Sequence, residues 1–378
     1  MKKYFKAKKI FTKERVLDNS FMAVENGKIV EFLSDYEGEY EDLGDKYIAP
    51  GLVDTHVHGY KGADVTDCEV GALNKMSVGM LEMGVTSFLP TTLTSSTENL
   101  ENAVELIGKE YKDVKGAKVQ GIFMEGPYFT EKYKGAQNPA YMSDPSIEQL
   151  KKWQDLSGGI IKKIAIAPER QGVTEFIKAA KEMGIYVALA HSDATYEQAI
   201  SAVNAGANIF VHLYNGMRGL HHREPGMVGA AMYSDAYAEL ICDGHHVHPV
   251  SAGIAMKVKG HDKILLITDC MRAGGLGDGM SRLGEFPVIV KDGTARLESG
   301  SLAGSILDLK TGVKNVHDWN IATVKQAIDM ASYHAAKSVG IDDRCGVLLE
   351  GRDADFIVFD EQLNLERTYL DGELRYQA

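Results

Sequence analysis

Apolar and polar residues follow two different rhythms along this chain. Near the start, "SFMAVENGKIVEFLSD" (20–35) alternates apolar and polar positions around an Asn-Gly pair, which predicts a β-hairpin. The end repeats that rhythm in "GVLLEGRDADFIVFDEQLNLERTYLDGELRYQ" (346–377), with an Asp-Gly turn late in it. Between them the rhythm changes. Eight β-branched apolar runs recur: "GLVDTHVHG", "GVTSFLPTTLT", "VQGIFMEGPYF", "IKKIAIAPE", "IYVALAHSD", "NIFVHLYNGM", "AELICDGHHV" and "KILLITDCM". Segments with apolar residues three or four apart lie between them, such as "TENLENAVELIGKEY" and "GVTEFIKAAKEMG". Several of these end in glycine, a helix stop.

Eight strand–helix units predict a (β/α)8 TIM-like barrel over residues 51–340. Residues 1–50 and 341–378 are expected to build one small β-sandwich domain from both termini. A doubly wound open sheet is the alternative. It is disfavoured because no GxGxxG turn follows the first strand. "FPVIVKDGTARLE" (286–298) predicts a hairpin inserted after the eighth strand, and "GLGDG" (275–279) reads as a loop rather than a phosphate cradle.

Composition narrows the class. With 44% hydrophobic and 25% charged residues, the chain is ordinary for a globular protein. No apolar run approaches the roughly 20 residues of a membrane span, and the basic N-terminus lacks the apolar segment of a secretory signal. The net charge of -12 argues against a nucleic-acid partner. None of the four cysteines forms a CxxC pair, so no zinc ribbon or disulfide framework is expected, and a cytoplasmic location is the simplest expectation. Cys270 beside Asp269 is read as structural, because no pattern activates it.

The polar residues at the ends of the predicted strands carry the chemistry. His56 and His58 share one face of the first strand, because alternate side chains point the same way. Glu125 ends the third run, His191 the fifth, His212 the sixth and Asp269 the eighth; His245 and His246 end the seventh. One such residue alone would read as solvated. Together they are all His, Glu or Asp, at the face where barrels place their active sites. Nitrogen and carboxylate ligands suit zinc, with iron or manganese as alternatives. A metal there would activate water and polarise a carbonyl, and Asp269 would move the proton, which is a hydrolase plan.

This pattern of His-x-His, a third-strand Glu, two later His and an eighth-strand Asp resembles the amidohydrolase superfamily. Within it, "FMEGPYFTEKYKGAQNP", "LAHSDATYEQA", "VHLYNGMRGLHHREPGMVGAA", "CDGHHVHP", "ITDCMRAGGLGDG" and "GSLAGS" resemble the N-acetylglucosamine-6-phosphate deacetylases over nearly the whole chain. The resemblance implies an enzyme that removes the acetyl group from a small phosphorylated amino sugar. It implies Glu125, His191 and His212 as ligands of the principal metal and Asp269 as the acid/base. It implies Ala136, Gln137, Asn215, Gly216, His246 and the loop Leu302, Ala303 and Gly304 as substrate contacts. Arg223 would bind phosphate across a dimer interface, so a homodimer is expected. Some family members have a His at the place of Gln137, and some lack the His-x-His pair. This chain keeps both His56 and His58, so one or two divalent metals per subunit are expected, with Glu125 bridging. The remaining histidines at 221, 222, 248, 261, 317 and 334 are read as structural. The rival readings are another amidohydrolase acting on an N-acyl or cyclic amide, and a non-catalytic sugar-phosphate-binding protein.

Overall fold

The computed structural model describes residues 2–378. Its middle is a ring of parallel strands in sequence order: β1 (Leu52–Val57), β2 (Val85–Thr92), β3 (Ile122–Glu125), β4 (Ile161–Ile166), β5 (Tyr186–Leu189), β6 (Ile209–Phe210), β7 (Tyr237–Leu240) and β8 (Ile264–Leu266). The ring closes just past β8, where Val57 bridges Cys270 in parallel and the Asp269 N–H donates to the His56 carbonyl at 2.9 Å. Every residue of β1 and β2 is buried. That is why these strands read as nearly unbroken apolar runs: helices cover one face and the packed interior fills the other. The helices start on local signals. Thr195 and Gln198 form a reciprocal capping box ahead of Tyr196–Ala205, and Thr323 and Gln326 do the same ahead of Val324–Met330.

The two ends of the chain meet in one eight-stranded mixed sheet. The hairpin from the Asn-Gly turn is there, as Val16–Glu25 paired with Lys28–Leu33. Tyr47–Pro50 lies between Lys3–Phe11 and the C-terminal strand Phe356–Phe359, so it joins the two ends. The sheet curls over a core of its own. Phe5 packs edge-on against Phe356 and Tyr369, with ring centroids 5.1 and 5.5 Å away.

The insertion after β8 is larger than its sequence suggests. Phe286–Lys291 and Thr294–Leu297 form the expected hairpin, but Gly279–Leu283 adds a third strand. Its glycine-rich approach hid it, and most of its side chains are exposed, so it has little apolar rhythm. Its last residue, Leu283, turns inward towards the barrel mouth.

A candidate metal centre at the barrel mouth

The predicted ligands do converge. His56 and His58 lie on and just past the end of β1, Glu125 ends β3, and His191, His212 and Asp269 follow β5, β6 and β8 within three residues. All six are buried. Glu125 is the hub. Its Oε1 lies 3.1 Å from His212 Nε2, 3.4 Å from His191 Nε2 and 3.5 Å from His56 Nε2, and its Oε2 lies 3.3 Å from His58 Nε2. Two groups of three potential ligands result, His56–His58–Glu125 and Glu125–His191–His212, which share the one carboxylate.

Each imidazole is held from behind. His58 Nδ1 lies 3.1 Å from the Thr91 carbonyl, His191 Nδ1 2.9 Å from the Tyr133 carbonyl, and His212 Nδ1 3.1 Å from the Asn215 carbonyl. A carbonyl only accepts, so each of these Nδ1 atoms carries the proton and each Nε2 presents a lone pair. His56 Nδ1 faces the Glu239 carboxylate at 3.2 Å, which fixes it in the same way. Its Nε2 is buried with no hydrogen-bond partner. Buried polar atoms are normally satisfied. Four inward lone pairs, one of them orphaned, beside a shared carboxylate fit a divalent cation and fit little else.

The electrostatics point the same way. Burial pushes Glu125 up, but the four imidazoles packed around it outweigh that and hold the carboxyl well below the usual range. Burial likewise opposes ionisation of Asp269, and His56 and His58 reverse it; Asp269 Oδ1 is 3.2 Å from His58 Nε2. Asp269 is therefore a carboxylate placed beside the ligands. Backbone strain marks the same residues. His191, His212 and Asp269 have φ of 45°, 31° and 50°, the left-handed region that non-glycine residues seldom occupy. Such strain collects at functional sites, where the surroundings over-determine it.

A cavity of about 240 Å³ opens over this cluster, room for one small molecule. His58, Glu125, Ala136, Gln137, His191, His212, Asn215, Gly216, His246, Asp269, Leu302 and Gly304 line it, as do Leu93, Gly135, Leu283 and Ser301. Gln137 reaches the centre itself: its Nε2 donates to Glu125 Oε2 at 2.6 Å while its Oε1 accepts from the Thr94 N–H at 3.0 Å. His246 is fixed by Asp243, with Nδ1 2.6 Å from Oδ2, whereas His245 is exposed and His248 caps the helix Pro249–Lys259. Two expected substrate contacts are not on this cavity. Ala303 is fully buried in a small apolar cluster with Leu93, Met271 and Val288. Arg223 is exposed in the loop before the helix Gly226–Tyr233, against His222, in a separate groove with Arg218 and Glu224. It does not reach its own chain's cavity.

The sequence reading missed the layer beneath the ligands. Lys163 of β4 and Glu239 of β7 are ion-paired and wholly buried. Asp54 is buried too; its Oδ1 accepts the His56 N–H and its Oδ2 the Thr268 hydroxyl, at 3.1 and 2.6 Å. Burial pushes Asp54 up to about 7. The signal was available: charged residues sit inside otherwise apolar strand runs.

The amidohydrolase family model matches residues 47–375. The chain belongs to the amidohydrolase family. Among family members, the N-acetylglucosamine-6-phosphate deacetylase of Vibrio furnissii is 40% identical over 99% of this chain and 95% of that protein. The N-acetylgalactosamine-6-phosphate deacetylase of Escherichia coli O157:H7 is 36% identical over 98% of each. The crystal structure of the N-acetylglucosamine-6-phosphate deacetylase from Pasteurella multocida superposes with a TM-score of 0.94 at 30% identity, covering both chains completely. Among the described residues no helix is long and apolar enough to cross a membrane.

Proposed function

We propose that this amidohydrolase hydrolyses the acetamide of N-acetylglucosamine 6-phosphate, giving glucosamine 6-phosphate and acetate. The observation that carries the reading is the ring of inward Nε2 lone pairs around Glu125, with Asp269 beside it, under a cavity sized for one sugar. Glu125, His191 and His212 would hold a divalent cation, zinc by preference, with His56 and His58 completing a second place. A cation there supplies Lewis acidity at the acetyl carbonyl and makes water acidic enough to attack at neutral pH. Asp269, held in its ionised form, takes a proton from the attacking water. The C–N bond then breaks, and Asp269 returns that proton to the departing amine, so the acid/base ends as it began. Water's hydroxyl stays on the acetyl carbon, and the acetic acid so formed gives its remaining proton to the free amine or to solvent and leaves as acetate.

The other lining residues divide the remaining work. Asn215, Gly216 and His246 contact the sugar phosphate, Ala136 and Gln137 the acetamide end, and Leu302 to Gly304 form the loop over the substrate. Leu302 and Gly304 would touch the substrate, while buried Ala303 holds the loop down. Arg223 would be supplied by a second copy of the chain, which makes the working enzyme a homodimer in the cytoplasm. A planar guanidinium suits phosphate because it donates two hydrogen bonds at once. The relationship to the Escherichia coli O157:H7 enzyme favours a second reading, the C4 epimer N-acetylgalactosamine 6-phosphate.

Acetate release by zinc-loaded protein tests both. Faster release from the 6-phosphate of N-acetylglucosamine than from its epimer, with little from unphosphorylated N-acetylglucosamine, is the expected result. Faster release from the galactosamine compound would install the second reading. No release from any of the three, with metal bound, would overturn the substrate class. It would move N-acyl amino acids and cyclic amides to the front. Arg223→Ala is expected to raise KM for the phosphorylated substrate about tenfold or more, the loss of a charged hydrogen-bonding partner.

A further inference from the structure

The barrel interior holds one ion pair with no part in the chemistry above. Glu239 and Lys163 are both 0% exposed. Burying two charges is expensive, and a well-packed apolar pair in their place is often at least as stable. Stability therefore does not explain them. Their geometry is specific. Lys163 Nζ bonds Glu239 Oε1, donates to the Thr55 carbonyl at 3.3 Å, and stands 3.7 Å from the centroid of the Phe123 ring. All the donor capacity of the ammonium is thus spent. The other carboxylate oxygen, Glu239 Oε2, has its own partner: His56 Nδ1, at 3.2 Å. Phe123 stands edge-on to the same imidazole, with centroids 4.9 Å apart at 90°.

His56 differs from the other three imidazoles in this respect. Those three lean on backbone carbonyls, which come with the fold. His56 leans on a carboxylate that the chain must keep ionised in the dry interior, and Lys163 is what neutralises it.

We propose that Glu239, held by Lys163, is a positioning residue for a second cation site: it sets the His56 tautomer so that Nε2 offers its lone pair to a cation shared with His58 and Glu125. This rests on the two-cation reading of the centre. A glutamine at 239 has a single oxygen. Lys163 would claim it, leaving the amide NH2 against His56 Nδ1. His56 would then carry its proton on Nε2, the atom that should bind metal.

The test uses full-length protein, stripped by chelator and re-equilibrated with zinc. Wild type is expected to bind two equivalents per chain. Glu239→Gln is expected to keep the first and bind the second about 10- to 100-fold more weakly, the usual loss when a ligand's hydrogen-bond partner is removed. Long-range 1H–15N spectra of the stripped proteins should show the His56 proton on Nδ1 in wild type and on Nε2 in the variant. The double variant Lys163→Met/Glu239→Leu removes the charges together, so it is expected to fold, and it should lose the second equivalent as well. Two equivalents at unchanged affinity in Glu239→Gln, or an unmoved tautomer, would overturn the positioning role. One equivalent in wild type at saturating zinc would instead overturn the two-cation reading on which the proposal rests.

Discussion

The two halves of the metal centre are built differently. His56 and His58 lie at and just past the end of the single strand β1 and are 0% and 1% exposed. Their support is internal: Glu239, Lys163, Phe123 and the Thr91 carbonyl, all in the barrel wall. His191 and His212 come from separate strands, sit at positive φ, and lean on loop carbonyls of Tyr133 and Asn215. The first half is rigid through packing. The second is strained and depends on the loops that line the cavity.

The sharpest way to break this comparison is to remove one ligand from each half. His212→Ala is expected to abolish the higher-affinity zinc equivalent and bring acetate release to background. His58→Ala is expected to leave that equivalent bound and to retain measurable activity, because the Glu125–His191–His212 group stays whole. Zinc content after equilibrium dialysis, read beside turnover, checks both. Equal loss from the two variants would show that the halves act as one unit and that their different construction has no consequence.

Asp269 belongs to neither half but touches the first, through His56 Nε2 at 3.4 Å and His58 Nε2 at 3.2 Å. Asp269→Asn keeps the shape and removes the base. The expected effect is a fall in turnover of about 1,000-fold, within the range for losing a general acid/base. Substrate affinity, measured by calorimetry, should hold. Loss of both together would point to disruption of the ligands beside it instead.

The two halves also differ in how far they could be read in advance. His56 and His58 announce themselves, since the period of a strand puts alternate residues on one face. His191, His212 and Asp269 were placed by counting strands, which the alternating rhythm made possible. Their left-handed backbone was not legible, because nothing local in a His or Asp demands it; the surrounding barrel imposes it. Arg223 shows the opposite limit. Its motif is distinctive, yet the loop that carries it lines a groove separate from its own chain's cavity. Lys163 and Glu239 were overlooked for a different reason. A charge in an apolar run looks like a break in the pattern until a second charge, 76 residues away, is brought against it by the sheet.

The smallest expected effect probes how tightly the second half is held. Gly216 has φ +58°, and a Cβ there would lie 2.8 Å from His191 Nδ1 and 3.1 Å from His191 Cε1. Gly216→Ala therefore does two things. It strains the backbone by roughly 1–2 kcal/mol, the left-handed penalty for a residue with a Cβ. It also pushes the His191 ring off the Tyr133 carbonyl that fixes its tautomer. Gly158 separates the two effects, since its φ is +70° and nothing lies within 4 Å of its Cβ position. Gly158→Ala should lower the melting temperature by a similar few degrees and leave zinc affinity and turnover unchanged. Gly216→Ala should match that stability loss and also weaken the higher-affinity zinc equivalent about tenfold, with the second equivalent at His56 and His58 less affected. If Gly216→Ala behaves like Gly158→Ala in every respect, the ring tolerates the push. The half held by loop carbonyls is then as rigid as the half held by the barrel wall.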